Sequence, residues 1–338
     1  MKFKSITLCL DMAGCPNRCR HCWLGHGRNP RMEQDDLRDM AEAFRPFTET
    51  LEIYSWYREP DFREDYRALW ELEASLSDRK TPPHYELMSV WRAVRDPVYI
   101  PWLASLGIRQ MQLTLFGGEA LTDHYTGRRG AWADIMRSID LLQAHGIVPR
   151  IQVFVDRVTA RDLAPVEALV KELNCPAFLH GGSCTGAGMG LYGIRASADD
   201  LRSLPDILAE KSLEHWKASS VREIFGEPES VLCAKLSASK DTASFVRDTP
   251  TFFIDGNWDV HPNCSAPGPA WRLGNLRQDG ATAILANYLH ETSPAQRVRR
   301  SIPLGELVRA CGDSASQRLF AEPDFIAYVL EKHLADVV

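Results

Sequence analysis

Three cysteines stand close together near the start of the 338-residue chain, in the stretch GCPNRCRHCW at positions 14–23. Three residues separate Cys15 from Cys19, and two separate Cys19 from Cys22. Thiolates at such short spacings bind zinc or an iron–sulfur cluster, and a C-x-x-C pair alone can act as a redox dithiol. The spacing therefore predicts a metal or redox centre in this loop.

The identity of the centre depends on the fourth ligand. A structural zinc site needs four protein ligands, and His21 or His26 is available as the fourth, but no second close pair of cysteines follows. A 4Fe–4S cluster held by three thiolates would instead leave one iron open for another ligand. The residues of the loop leave these readings open.

Composition and charge exclude several classes of function. The net charge of −6 argues against nucleic acid or an anionic membrane as a partner, because both select a basic surface. No apolar run approaches the roughly 18 residues of a membrane-spanning helix. The nine cysteines are scattered and odd in number, unlike a disulfide framework. We expect a protein of the reducing cytoplasm.

Short apolar runs alternate with amphipathic helical stretches as far as about Gly190. The runs that predict strands are 3–10, 51–57, 84–91, 110–116, 150–155 and 176–182. Six such alternations predict parallel strands joined by right-handed helical crossovers. The expected fold is α/β, a partial (β/α)6 TIM-like barrel with the cysteine loop directly after its first strand.

The carboxyl-terminal third is less regular. Residues 251–260, TFFIDGNWDV, predict a β-hairpin that turns at Asp255-Gly256. We therefore expect two units, a barrel over 1–212 and a smaller extension over 213–338.

The C-x3-C-x2-C spacing after the first strand of an α/β barrel resembles the signature of the radical S-adenosylmethionine (radical SAM) superfamily. His21 fits the aromatic residue that is typical before the third cysteine and is predicted to contact the cofactor. The resemblance implies a 4Fe–4S cluster on Cys15, Cys19 and Cys22, with S-adenosylmethionine chelating the open iron. It also implies a 5′-deoxyadenosyl radical that abstracts hydrogen from a C–H bond, and an electron donor such as flavodoxin or ferredoxin.

The superfamily resemblance also implies a Gly-Gly-Glu-Pro turn after the second strand, whose glutamate holds the methionine amino group. Glu59-Pro60 lies at the usual distance, 37 residues after Cys22, although Tyr57 and Arg58 stand near the expected glycines. Gly117-Gly118-Glu119 supplies three of the four letters but follows the fourth predicted strand. We assign the role to Glu59.

Residues 112–147 resemble the maturase-like branch of the superfamily. Through this resemblance, Thr114 falls where a serine contacts the ribose, and Arg129 falls where an arginine reaches the methionine carboxylate. Glu119 and Asp123 are expected at the mouth of the barrel, where this class of fold places its substrate.

The segment 252–280 resembles the hairpin of SPASM and twitch extensions, which carry auxiliary clusters. The late cysteines contain no close pair, so we expect a degenerate extension without its cluster; they are Cys175, Cys184, Cys233, Cys264 and Cys311. Cys264 follows the hairpin, and its thiol is predicted to donate hydrogen to a substrate radical. Delivery of the hydrogen to the opposite face would epimerise the carbon. This late cysteine after the hairpin resembles the arrangement in the radical epimerase of aminoglycoside antibiotics.

Acidic residues at predicted strand ends suit a cationic small molecule such as an amino sugar. We predict substrate contacts from Asp11, Glu119, Asp123 and Asp156. The ordinary alternative for each is a helix cap or a solvated loop. Two other functions stay open: a radical SAM dehydrogenase or peptide-modifying enzyme with an auxiliary cluster, and a non-enzymatic zinc- or cluster-binding module.

Overall fold

Two sets of parallel strands frame the molecule. The computed structural model describes residues 2–54, 58–78, 88–262 and 267–337. The strands are β1 (Phe3–Leu10), β2 (Thr48–Tyr54), β3 (Gln110–Leu115), β4 (Val148–Phe154), β5 (Ala177–His180), β6 (Glu227–Pro228), β7 (Thr251–Ile254), β8 (Asp259–Pro262), β9 (Gly274–Asn275) and β10 (Leu319–Phe320).

Helices alternate with the strands along the chain. They are α1 (Gln34–Phe44), α2 (Tyr66–Leu76), α3 (Val90–Ala93), α4 (Tyr99–Ser105), α5 (Glu119–Thr126), α6 (Ala131–Ala144), α7 (Ala164–Leu173), α8 (Ala198–Leu201), α9 (Asp206–Trp216), α10 (Val221–Phe225), α11 (Glu229–Leu236), α12 (Leu276–Leu289), α13 (Pro294–Ser301), α14 (Leu304–Cys311) and α15 (Glu322–Val337). Three late helices, α11, α14 and α15, share an apolar core of their own. Short 3-10 helices include Pro60–Phe62 and Gly186–Ile194. No helix in the described ranges is long and apolar enough to cross a bilayer.

β1 is the central strand of the first sheet, whose order is β2-β1-β7-β8-β9. It pairs in parallel with β2 on one side and with β7 on the other. Ile6, Leu8 and Leu10 are fully buried and pack with residues of α1 and α12. Because β1 has a partner on both sides, the loop that leaves its carboxyl end starts from a rigid position.

β3, β4 and β5 form a second sheet, in which every strand pair is parallel. Along β3, the buried residues Met111, Leu113 and Leu115 alternate with half-buried residues. The buried set packs in the core shared with α4, α6, α7 and α9. This alternation places Thr114 on the opposite face, beside the polar side chain of Gln152.

Parallel strands with helical crossovers confirm the predicted α/β class. The second half of the predicted strand 84–91 is not a strand: residues 88–89 have no regular structure and Val90 begins the helix α3, while residues 84–87 lie outside the described ranges. A further parallel neighbour of β1 is β7, from the late part of the chain. The prediction failed at 88–91 because a short apolar run has no period that separates a strand from a helix.

The predicted hairpin is confirmed. β7 and β8 pair antiparallel, with Ile254 opposite Val260 and the turn between them at residues 255–258. Since β7 also pairs with β1, the hairpin extends the sheet from which the cysteine loop emerges. The proposed division of the chain at 212/213 stays a prediction.

Candidate active site

The three clustered cysteines line a single cavity. They lie in the cysteine loop (residues 11–33), which connects β1 to α1. Cys15, Cys19 and Cys22 line a cavity of about 410 Å³, whose wall also includes Asn29 and Arg58. All three thiols are free and half-buried.

Asn29 holds the backbone of Cys15 from both sides. The Cys15 N–H donates to Asn29 Oδ1 at 3.1 Å, and Asn29 Nδ2 donates to the Cys15 carbonyl, also at 3.1 Å. Gly14 permits this approach: its φ is +82°, and a Cβ there would lie 2.2 Å from Asn29 Oδ1.

Arg58 connects the end of β1 to the far side of the cysteine loop. Its Nε and Nη2 donate to Asp11 Oδ2 at 3.0 and 2.8 Å. The same guanidinium donates to the carbonyls of Gly27 and Arg28 and to Asn29 Oδ1. The pair is buried, with 9% of the Arg58 side chain and 6% of the Asp11 side chain exposed. Asp11, predicted to contact substrate, is thus the partner of a buried arginine.

Glu59 points at the first cysteine. The Cys15 thiol donates to Glu59 Oε2 at 3.3 Å, and the Ser89 hydroxyl donates to Glu59 Oε1. Burial raises the pKa of the Glu59 carboxyl to about 7, although the donors Ser89 and Cys15 oppose the shift. A half-buried carboxylate next to Cys15 suits an ammonium group as its partner.

A buried network holds the turn that carries Glu59. Asp61 is fully buried; its carboxylate accepts a hydrogen bond from Trp70 Nε1 at 2.8 Å and another from the Tyr99 hydroxyl. Tyr99 in turn accepts the backbone N–H of Ser89 at 3.1 Å. Ser89 was missed by the sequence analysis because it lies within the stretch 84–91, which was predicted to be a strand.

Arg128, rather than Arg129, contacts the cysteine loop. Its Nε donates to Asn17 Oδ1 at 2.7 Å, and its Nη1 pairs with Asp134 at 2.5 Å, whereas Arg129 is exposed. Burial raises the pKa of the Cys19 thiol to about 12, neighbouring Cys22 and Glu59 add to this, and the charge of Arg128 opposes it. The sequence indicates an arginine near the cysteine loop through the doublet Arg128-Arg129. Only the fold decides which of the two side chains faces the loop.

His21 lies between two aromatic rings at the carboxyl ends of β3 and β4. Its ring centroid is 4.8 Å from that of Phe116 and 4.1 Å from that of Phe154. Burial lowers the pKa of the imidazole to about 3, and nearby His180 adds to the effect. The Nδ1 atom is buried without a hydrogen-bond partner in the described part of the chain. A neutral ring with one unused polar atom suits contact with a bound cofactor.

Thr114 and Glu119, two residues of the segment 112–147 that resembles the maturase-like branch, differ in exposure. Thr114 is half-buried, and its hydroxyl donates to Gln152 Oε1 at 3.2 Å. Glu119 is exposed as the first residue of α5. Their predicted roles stay predictions.

Two of the predicted substrate carboxylates make capping hydrogen bonds. Asp123 accepts the N–H groups of Gly130 at 2.5 Å and Trp132 at 2.9 Å, at the start of α6. Asp156 accepts those of Val158 and Thr159 at 2.7 and 2.9 Å, and the Tyr125 hydroxyl at 2.5 Å. These contacts match the ordinary alternative of a cap.

A second cavity of about 630 Å³ lies between the cysteine loop and the hairpin. It shares residues 24–29 and Arg58 with the first cavity, and Asp255 and His261 line its hairpin side. Cys264 lies outside the described residues. His261, three residues before it, and Pro267, three residues after it, both line this cavity.

The late cysteines other than Cys264 are buried. Cys184, Cys233 and Cys311 belong to an apolar core with residues of α11, α14 and α15, and Cys175 packs beside β5. Burial raises the pKa of each thiol, to about 11 for Cys233. These thiols pack as small apolar side chains, the usual role of a buried free cysteine.

The donor set fits a cluster held by three thiolates, although the thiols are not gathered around one point. Among the described residues, no three His, Cys, Asp or Glu side chains converge closely enough to hold a metal ion. The three cysteines share one cavity wall instead, with Arg58 beside them to offset the negative charge of a thiolate cluster. His26 Nε2 is 2.8 Å from the Cys19 carbonyl, a contact that competes with a role as fourth zinc ligand.

Comparison with known proteins identifies the class. Residues 10–162 match the model of the radical SAM superfamily, a segment that runs from the end of β1 past Glu59 and β4. This segment, less than half of the chain, is a radical SAM domain. Its cofactors are a 4Fe–4S cluster and S-adenosylmethionine, as predicted. A sequence search among curated proteins finds no match.

Solved structures share the fold. anSMEcpe with bound AdoMet and Cp18Cys peptide gives a TM-score of 0.52 at 16% identity, covering 98% of each chain. anSMEcpe with bound AdoMet alone gives 0.52 at 14%, also over 98% of each chain. SuiB from Streptococcus suis gives 0.45 at 14%, over 91% of this chain and 68% of that one. The two anSMEcpe structures support the predicted fold, a partial barrel with a smaller extension. Their likeness to this protein covers nearly the whole chain.

Proposed function

We propose that this radical SAM enzyme epimerises a carbon of an amino-sugar substrate, with the Cys264 thiol as the hydrogen donor. The observation that carries the proposal is the second cavity, which residues from both flanks of Cys264 line together with residues 24–31 of the cysteine loop. A cavity of about 630 Å³ is within the range of small-molecule sites. It adjoins the cavity of the three cysteines, so a substrate there would lie beside the radical source.

Cys15, Cys19 and Cys22 would hold the cluster. The Glu59 carboxylate would bind the amino group of S-adenosylmethionine, and the His21 ring would contact its nucleoside. Arg128 is better placed than Arg129 to meet a carboxylate near Cys19, because its guanidinium already contacts the loop at Asn17. When bound, the two cofactors supply a 5′-deoxyadenosyl radical.

The Cys264 step completes the proposed reaction. Abstraction of one hydrogen leaves a carbon radical on the substrate and gives 5′-deoxyadenosine and methionine. The Cys264 S–H bond then breaks, its hydrogen forms a new C–H bond on the opposite face, and a thiyl radical remains. One electron from a flavodoxin- or ferredoxin-type donor and one proton restore the thiol. Each turnover thus consumes one S-adenosylmethionine, two electrons and one proton.

The charges around the second cavity support a substrate with one ammonium group. Of its three carboxylates, Asp11 is bound to Arg58, and Asp259 is bound to Arg272 at 2.8 Å. Asp255 has no arginine or lysine partner within the described ranges, and the two further arginines of the lining, Arg28 and Arg31, are exposed. Burial lowers the pKa of His261 and keeps its ring neutral. Asp255 is therefore the carboxylate we propose for the substrate amine.

A second candidate is oxidation of a peptide, which the fold likeness to anSMEcpe with a bound peptide favours. Such an oxidation would require an auxiliary cluster to accept the second electron. The late cysteines favour the epimerase instead, because no two of them stand close together in the sequence and those of the described ranges are buried in apolar cores.

Turnover in deuterium oxide tests the epimerase. Thiol hydrogens exchange with water, so the reaction with dithionite, S-adenosylmethionine and a panel of amino sugars should place one deuterium on the inverted carbon. Cys264→Ala should still form 5′-deoxyadenosine but no inverted product, whereas Cys175→Ala, a buried thiol away from the cavity, should keep the reaction. Inverted product from Cys264→Ala, or an oxidised product from the native enzyme, would contradict the proposal.

A further inference from the structure

We propose that Arg58 and Asn29 form a positioning clamp, the Arg58–Asn29 clamp, which holds Cys15 in place as a cluster ligand and partly sets the cluster's reduction potential. The inference goes beyond the proposed epimerisation. It rests on Cys15 being a cluster ligand, and it holds for any substrate. Neither residue is expected to touch the iron; both act through the backbone and charge of the cysteine loop.

The first contact of the clamp fixes the Cys15 peptide. The side-chain amide of Asn29 both accepts from the Cys15 N–H and donates to the Cys15 carbonyl, each at 3.1 Å. Two opposed hydrogen bonds to one residue remove its freedom to rotate about either neighbouring peptide. Because 14 positions separate the two residues, the contact also closes the loop into a ring.

The second contact fixes Asn29 itself. Arg58 Nη1 donates to Asn29 Oδ1 at 3.2 Å, and the same guanidinium donates to the carbonyls of Gly27 at 3.3 Å and Arg28 at 2.6 Å. Three consecutive residues of the loop are thereby held by one planar group. A lysine has a single ammonium and cannot reproduce this fork.

The third contact ties the clamp to the rigid sheet. Asp11 directly follows β1, and Arg58 donates to its carboxylate through Nε and Nη2. Asp11 Oδ1 also accepts the N–H of Gly14 at 3.0 Å. The path from sheet to ligand therefore runs through Asp11, Arg58 and Asn29 to Cys15, while the Glu59 N–H donates to the Gly14 carbonyl at 3.0 Å.

The position of Arg58 adds an electrostatic effect. Its guanidinium lines the cavity of the three cysteines and is 9% exposed, so solvent screens its charge weakly. A positive charge beside a cluster favours the reduced, more negative form and raises the reduction potential. Partners beyond the direct ligands commonly change metal affinity by about 10- to 100-fold.

Four variants test the clamp, with iron content, iron loss to a chelator, midpoint potential and thermal unfolding as readouts. Asn29→Ala and Arg58→Met should lose iron about tenfold faster than the native protein. Asn29→Asp keeps the acceptor for the Cys15 N–H and for Arg58, and should rescue part of the loss. Arg58→Lys keeps the charge but not the fork, so it should keep the native potential while losing iron faster; Arg58→Met should lower the potential.

Arg31→Met is the matched control, because Arg31 lies in the same loop with 85% of its side chain exposed. It should leave iron retention and potential unchanged. If Arg58 and Asn29 only stabilised the fold, their variants would unfold at a lower temperature but keep the native midpoint potential. Asn29→Asp would then retain iron no better than Asn29→Ala. Should Arg58→Met fail to fold, iron retention in Asn29→Ala and Asn29→Asp still tests the clamp, because Asn29 is exposed. Native iron retention in folded Asn29→Ala would overturn the clamp.

Cys15→Ala separates the clamp from its premise. Loss of cluster iron in Cys15→Ala with native behaviour of the clamp variants refutes the clamp alone. Full iron retention in Cys15→Ala refutes the ligand assignment and the clamp with it. Epimerisation enters none of these readouts, so its failure in the deuterium experiment is a separate result.

Discussion

Glu59 differs from the other acidic residues of the site because its carboxylate accepts a hydrogen bond from the thiol of a predicted cluster ligand. One oxygen faces the thiol of Cys15 and the other accepts from Ser89. Asp123 and Asp156 cap backbone N–H groups, and Asp11 binds Arg58. Residue type alone does not separate these uses, because a carboxylate suits a cap, an ion pair and a ligand site equally well.

Glu59→Gln should weaken binding of S-adenosylmethionine by about tenfold, since a neutral amide loses the charge-assisted bond to the ammonium group. Titration of the reconstituted protein with S-adenosylmethionine measures the effect. The control is Glu119→Gln, whose side chain is exposed on α5. It should bind the cofactor normally and lose substrate turnover instead. If Glu119→Gln weakened cofactor binding and Glu59→Gln did not, the two assignments would have to be exchanged.

Cys15→Ala, Cys19→Ala and Cys22→Ala should each abolish the cluster and cleavage of S-adenosylmethionine. With only three thiolates available, no ligand is spare. Iron analysis after anaerobic reconstitution and detection of 5′-deoxyadenosine check the result. Cys175→Ala removes a buried thiol elsewhere and should keep both. Cleavage at the native rate in any of the first three variants would exclude that cysteine as a ligand.

At the scale of elements, the hairpin β7–β8 and the cysteine loop are in direct contact. A Cβ on Gly256, in the turn of the hairpin, would lie 2.0 Å from the Cβ of Pro30 in the loop. The turn is therefore packed against the segment that carries Asn29. Glycine is required here for close approach, and its φ is not in the left-handed region.

Gly256→Ala should lower the free energy of unfolding by about 1–3 kcal/mol, because the added methyl must push the hairpin and the loop apart. Cluster loading should fall with it. Gly190→Ala is the control, since a Cβ there meets nothing within 4 Å, and it should stay within about 0.5 kcal/mol of the native protein. Denaturant unfolding of the metal-free chains measures both. Equal stability of the two variants would show that the contact is not tight.

At the scale of the whole molecule, a buried carboxylate links the late helices to the cysteine loop. Glu229 is fully buried at the start of α11, accepts from the Tyr192 hydroxyl at 2.8 Å, and accepts the Asp313 N–H at 3.0 Å. Tyr192 belongs to the 3-10 helix Gly186–Ile194, where the Ala187 N–H donates to the Cys22 carbonyl at 2.9 Å. The carboxyl-terminal third therefore supports the loop as well as the cavity.

Glu229→Ala should destabilise the protein by about 1–3 kcal/mol, because removal of the buried carboxylate leaves the Tyr192 hydroxyl and the Asp313 N–H without this acceptor. The control is Glu227→Ala, two residues before Glu229. It breaks a half-exposed ion pair with Arg222 and should lower the free energy of unfolding by about 0–1 kcal/mol. Thermal unfolding compares the two. A cost for Glu229→Ala as small as that of Glu227→Ala would show that the late helices are not held through this residue.

Reconstituted protein should hold about four iron atoms per chain rather than about eight. The late cysteines of the described ranges are buried in apolar cores, and no two late cysteines stand close together in the sequence. Iron and sulfide analysis of anaerobically purified protein checks this. A count near eight would favour the auxiliary cluster and the peptide-oxidising alternative.

The amino-acid sequence by itself determined the local features of this protein. The three-cysteine spacing, the alternation of strands and helices, and the turn at Asp255-Gly256 are properties of neighbouring residues, so periodicity and turn chemistry suffice to predict them. The same reasoning failed at 88–91, because the apolar run there was too short to carry a period.

Only the tertiary structure decided which distant residues meet. β7 pairs with β1 across more than 240 positions, Arg58 reaches Asn29 and Asp11, and Arg128 rather than Arg129 faces the loop. Such contacts depend on how the sheets and helices pack, and packing is set by the whole core and not by any short stretch. Arg58 shows the difference best: in the sequence it is a departure from an expected glycine, and in the folded chain it organises the loop of the cysteines.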